Sequence, residues 1–146
     1  MTHSPALPLR ICAAVALLGF LAGCGSSGPR VYPVEGKIVF KGKAANMRQL
    51  IGGRVRFQST TDPKVTPVGS IEDDGVFSMG TMADEKSLPG VPAGTYKARI
   101  ELPRTNDEDE ERRPAPIPAK YLDFDKSGLV FNVPTQGEIV IEVERR

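Results

Sequence analysis

The densest chemistry-bearing stretch of the chain is Asp107-Glu108-Asp109-Glu110-Glu111, closed by Arg112-Arg113. Carboxylate oxygens at this density are the ligands that hard cations such as Ca²⁺ take. An ordered calcium loop also needs a glycine turn, and consecutive acids without one form the pattern of a solvated, charged segment. A second candidate, Asp123-Phe124-Asp125-Lys126-Ser127, sets oxygens on alternate residues like the start of an EF-hand loop. Lys126 stands where further oxygens would be needed and no bidentate glutamate follows at the required place. The segment is therefore read as a turn capped by Asx and Ser hydrogen bonds. Lys37, Asn132 and either Glu101 or Glu72 are the residue types of a Lys-Asn isopeptide bond with a carboxyl proton shuttle. That chemistry needs the three buried together, whereas alternation turns Lys37 and Asn132 toward solvent. Tyr121 and Phe124 could stack on a sugar ring, but are read first as core plugs or loop anchors. A glycosidase pair of carboxylates would need a cleft that raises one pKa, and no stretch marks one. No metal and no cofactor are assigned. Asp107, Glu108, Asp109, Glu110, Glu111, Tyr121, Asp123 and Asp125 remain as candidate contacts for a partner or ligand.

The first residues narrow the chemistry further. Arg10 is followed by the apolar run Ile11 to Leu21, too short to span a bilayer and of the form of a signal peptide. It ends in Leu21-Ala22-Gly23-Cys24, which resembles the lipobox of bacterial lipoproteins, and this implies cleavage after residue 23 and diacylation of Cys24. Two or more acyl chains anchor stably where one is marginal, so the expected partner of the N-terminus is a membrane surface. Gly25, rather than Asp, after the cysteine resembles the form sorted to the outer membrane. The expected location is thus the bacterial cell envelope, outer membrane before inner.

Processing would remove His3, the one histidine, and Cys12, and would consume Cys24. Histidine triads, His-activated cysteines, disulfides and most zinc sites drop out of the expected mature chain. Of the 19 Lys and Arg residues only Arg10 lies in the signal, against 18 Asp and Glu after it. A balanced chain lacks the basic stripe that nucleic acid requires, and no nucleic-acid partner is expected.

The elements that must position these residues are strands. Residues 24–30 form a short tether after the removed 1–23, and by coil dimensions six such residues reach about 13 Å. Residues 31–146 read as a single domain. Val34, Gly36, Ile38 and Phe40 alternate with Glu35, Lys37 and Lys41, and a turn follows at Lys41-Gly42-Lys43. The stretch from Asn46 to Gly52 is a loop with room for one helical turn. Arg54 to Gln58, Val68 to Ile71, Val76 to Met79, Thr95 to Leu102, Leu129 to Val133 and Ile139 to Val143 complete seven strands. Glu72-Asp73-Asp74-Gly75 is expected to join the third and fourth as a hairpin. Gly80 to Ser87 is read as polar loop, and Leu88 to Gly94 as a Pro/Gly corner outside regular structure. Seven short strands without a helix imply an all-β, antiparallel β-sandwich. The 103–127 connection is long for a structureless loop in a compact domain and is the expected contact surface.

Several pieces occur together: Val34-Glu35-Gly36-Lys37-Ile38, Asp74-Gly75-Val76-Phe77, Leu88-Pro89-Gly90-Val91-Pro92-Ala93-Gly94-Thr95-Tyr96, Pro118-Ala119-Lys120-Tyr121 and Ser127-Gly128-Leu129. The domain they compose resembles the carboxypeptidase regulatory-like, transthyretin-like (prealbumin-like) β-sandwiches of bacterial envelope lipoproteins. The resemblance implies a non-enzymatic module with structural or protein-interaction duties. The alternative is a small-ligand or glycan-binding module accessory to an envelope enzyme or transporter. Such a fold by itself fixes no chemistry.

Overall fold

Alternation becomes strand wherever the sequence carries it over four residues or more. The computed structural model describes residues 29–42, 47–83, 85–104 and 114–146. The signal segment, Cys24 and the run Asp107 to Glu111 lie outside them. The strands are β1 (Val31–Tyr32), β2 (Glu35–Phe40), β3 (Arg54–Ser59), β4 (Val68–Ser70), β5 (Val76–Ser78), β6 (Gly80–Ala83), β7 (Lys86–Pro89), β8 (Val91–Pro92), β9 (Gly94–Glu101), β10 (Val130–Val133) and β11 (Ile139–Val143). Short 3-10 turns occupy Met47–Gln49, Asp73–Gly75 and Ala119–Leu122. Among the described residues no helix is long and apolar enough to cross a membrane.

Among the described residues three sheets form: six-stranded in the order β10-β9-β3-β4-β6-β7, three-stranded in the order β11-β2-β5, and the pair β1-β8. Among the described residues, eleven strands thus stand where seven were expected. Pairing is antiparallel except between β11 and β2, which run parallel with Ile139 beside Gly36 and Val143 beside Phe40. That pair corrects the wholly antiparallel expectation. It joins the two ends of the domain, and a parallel pair requires a long intervening crossover. The Gly80 to Ser87 stretch, expected as loop, forms β6 and the start of β7, which pair as a hairpin, and β7, β8 and the first residue of β9 take up most of the Leu88 to Gly94 corner expected to lie outside regular structure.

The Asp74-Gly75 turn forms as expected, with Asp74 at φ 61° and Gly75 at φ 79°. Gly75 is required twice over, since a Cβ there would also lie 2.7 Å from the Ile38 carbonyl oxygen. The turn does not open a two-stranded ladder. Beyond the Glu72 N–H bond to the Val76 carbonyl oxygen that closes it, an isolated bridge between Ile71 and Phe77 spans it, after which β4 pairs with β3 and β6 while β5 pairs with β2. It is a corner by which the chain crosses from one sheet to the other.

Inward residues of both larger sheets meet in one core: Val55, Phe57, Ala98 and Ile100 from one, Ile38, Phe77, Ile141 and Val143 from the other. Tyr96 is only 1 % exposed and donates its hydroxyl hydrogen to the Pro92 carbonyl oxygen at 2.9 Å. Burial pushes that hydroxyl above the ordinary tyrosine pKa. Tyr96→Phe removes the bond and leaves the Pro92 carbonyl to find water at the corner. The expected loss is about 1 kcal/mol in urea unfolding, with unchanged slope. A variant as stable as the wild type would show that the ring alone matters.

Candidate functional site

The stretch 114–127 follows from its composition. Prolines 114, 116 and 118 stiffen a backbone that bends at Pro116-Ile117, and Pro118-Ala119 opens the 3-10 turn that carries Tyr121 inward. Ile117 is fully buried and Tyr121 is 4 % exposed, both within the core. The Pro116 carbonyl oxygen accepts from the Arg146 backbone N–H, and Lys120 Nζ donates to Glu144 Oε2 at 2.8 Å. The carboxylate raises Lys120 above its usual pKa, and the ammonium lowers Glu144. Lys120 also lies 4.9 Å from the centroid of the Tyr121 ring. Tyr121 is therefore a plug between the sheet edges, and it offers almost no surface to a partner.

Asp123 and Asp125 share one turn. Asp123 Oδ1 accepts from the backbone N–H of Asp125 at 2.8 Å and of Lys126 at 3.2 Å. Ser127 Oγ donates to the Ala98 carbonyl oxygen at 2.6 Å and accepts from the Leu129 N–H. This is the Asx- and Ser-capped turn that the residue types predict. Asp125 pairs with Lys97, whose ammonium hydrogen bond holds the carboxyl below its usual range. Among the described residues no group of three His, Cys, Asp or Glu side chains converges as metal ligands would. The acidic run 107–111, the rest of the candidate contact set, lies outside the described residues.

The isopeptide trio is not assembled. Lys37 sits on β2, in register with Val140 and Val76 of the three-stranded sheet. Asn132 is on β10 of the six-stranded sheet, where its Oδ1 accepts from Thr95 Oγ1 at 2.8 Å. Glu101 is engaged by arginines, and Glu72 is exposed at the β4–β5 corner.

Two features escape the sequence reading. On the outer face of the six-stranded sheet, register places Arg56 beside Arg99 and Arg54 beside Glu101. Arg99 Nη2 donates to Glu101 Oε1 at 2.6 Å, and Arg56 Nε lies 3.1 Å from the same oxygen without hydrogen-bond geometry. Both Nε–H groups are buried without an acceptor, and Phe124 covers the Arg99 guanidinium at 4.7 Å. One carboxylate thus binds two guanidiniums together on a half-exposed surface. Alternation announces outward Arg56 and Arg99, but only the cross-strand register makes them neighbours.

The second feature is an open groove of about 590 Å³ where β10 turns into β11. Phe131, Asn132, Ile139 and Val140 form its sides, and the 134–138 turn, entered through a cis Val133–Pro134 peptide, closes one end. Val140, at the lip, is 54 % exposed. No family model, no curated protein and no solved structure matches this chain.

Proposed function

We propose that the protein is a lipid-anchored component of the bacterial cell envelope whose single domain is a non-catalytic, transthyretin-like β-sandwich serving protein interaction. The observation that carries this reading is the order of parts at the N-terminus. An apolar leader ends in Leu21-Ala22-Gly23-Cys24, and the first strand begins at Val31, with only six residues between it and Cys24. Arg30 already packs over the Tyr32 ring at 5.3 Å, so the tether ends where the domain begins. A domain leashed this closely is held against the membrane surface within reach of other envelope proteins. The sandwich reading is supported by two sheets enclosing one core and by the Tyr96 hydroxyl bond that braces the corner before the longest strand.

The test is metabolic labelling of the expressed full chain with a clickable fatty acid. The wild type is expected to carry label and to sediment with membranes. Cys24→Ala is expected to lose the label completely and to keep its leader uncleaved, a change that intact mass reports directly. A wild type without label, or a labelled Cys24→Ala variant, would overturn the anchor.

A further inference from the structure

The six-stranded sheet ends at β10 and the three-stranded sheet at β11, consecutive strands whose free edges flank one seam. Half of that seam is closed by the chain itself. Ile117 and Tyr121 fill the space between the sheets, the Pro116 carbonyl bonds the Arg146 N–H, and Lys120 pairs with Glu144 just beyond β11. The other half, toward the 134–138 turn, is the open groove.

The closing segment shows what chemistry the seam accepts: a proline-stiffened backbone that bends into the 3-10 turn, apolar Ile117 and Tyr121 side chains buried, and a lysine on the outward row of acids that follows β11. That row runs Glu138, Val140, Glu142, Glu144, all exposed. Glu144 is taken by Lys120, whereas Glu138 and Glu142 have no ion pair among the described residues. Val140 and the half-buried Phe131 present apolar surface beside them. A second copy of β11 is a poor occupant. Antiparallel pairing about Val140 would set Glu138 of each copy opposite Glu142 of the other, and like charges directly opposed are destabilising.

We infer that the open half of the seam receives an extended segment of a partner protein, apolar at the residue that enters the groove and bearing Lys or Arg on either side of it. The bound segment continues the closure that Ile117 to Tyr121 begin, with its cations on Glu138 and Glu142 and its apolar side chain against Phe131 and Val140. Main-chain pairing along an open strand edge gives such a segment affinity, and the acids select its charge. The inference rests on reading the domain as an interaction module.

The probe is a fluorescent, diazirine-bearing peptide with the chain's own 116–122 sequence, compared with the same peptide carrying Glu in place of its lysine. Both are titrated against the processed full chain in detergent micelles, with empty micelles as blank. The wild type is expected to bind the lysine peptide in preference, by about fivefold for one exposed ion pair. Crosslinks are expected to fall between residues 131 and 140. The double variant Glu138→Lys, Glu142→Lys, with both changes at exposed positions, is expected to invert the preference and to keep the wild-type unfolding midpoint. Equal binding of both peptides, or crosslinks elsewhere, would overturn the groove assignment. So would crosslinks of an N-acetylglucosamine oligomer at 131–140 with none from the peptide, or a concentration-dependent dimer that shields Val140. Reproducible peptide crosslinks confined to another face would overturn the groove while leaving the interaction reading intact. Peptide binding at the groove by a chain without fatty acid would separate the two in the opposite sense.

Discussion

Gly36→Ala is expected to destabilise the protein by about 3 kcal/mol, the upper end for forcing an added methyl into a packed interior. Gly36 lies at the centre of the three-stranded sheet, opposite Ile139 of β11 on one side and Phe77 of β5 on the other. A Cβ built there would overlap the edge of the Phe77 ring and come within 2.7 Å of the Ile139 carbonyl oxygen. The first clash involves a side chain that is itself fully buried, and the second involves backbone in a sheet ladder. Neither neighbour can step aside without disturbing a second contact. Urea unfolding measures the loss, and a double-mutant cycle assigns it. Phe77→Leu made in the Gly36→Ala background should cost distinctly less than the same change in the wild type, because it removes the clash. A loss below about 1 kcal/mol for Gly36→Ala would mean that the ring has room to retreat.

That residue also marks where the sequence stops being informative. Its place in an alternating inward row is legible, and the row does become β2. What a row of apolar residues cannot encode is its neighbour, because period-two alternation fixes a strand's faces and leaves its edges anonymous. The parallel partnership of β2 with β11, more than ninety positions apart by their numbering, is therefore visible only in three dimensions. The longest alternating runs, in β9 and β3, announce themselves because each inward side chain is removed from water. The β6–β7 hairpin does not, since it closes the outer edge of its sheet and leaves Met82 64 % exposed. Thr81 is its buried residue, satisfied by donating its hydroxyl hydrogen to the Gly90 carbonyl oxygen at 2.7 Å, and one such contact produces no pattern.

The same logic divides the candidate sites. Local hydrogen bonding made the Asp123 to Ser127 turn legible, because Asx and Ser caps reach only two or three residues along the chain. The Tyr96 hydroxyl bond is equally local, its acceptor lying four residues back. The Arg56–Glu101–Arg99 cluster and the groove beside Val140 arise from strands brought together by the fold, and no spacing of residue types along the chain foretells them.

Phe57→Ala is expected to cost about 4 kcal/mol, as truncation of a fully buried aromatic does when the surroundings relax only in part. Phe57 is central in β3, which pairs with both β4 and β9, so its ring sits over the middle of the larger sheet. It stacks on Phe131 at 5.6 Å between centroids, 18° from parallel, and meets Tyr96 at 5.8 Å. The three rings tie β3, β9 and β10 together across their inner face. Their fates differ on truncation, because Phe131 is half-buried and its loss is partly refilled by water, giving roughly half the cost of Phe57→Ala. The comparison reaches the groove as well, since Phe131 lines it together with Val140. Phe57→Leu keeps most of the buried volume and should leave the fold standing, with a loss of about 1 kcal/mol. It removes the surface against which Phe131 stacks. In that variant Phe131 is expected to settle inward, so the groove deepens and crosslinks of the lysine peptide move from residue 131 toward 139 and 140. Unchanged crosslink positions would show that the Phe131 ring is held by its own strand and that the stacked ring beneath it serves stability alone.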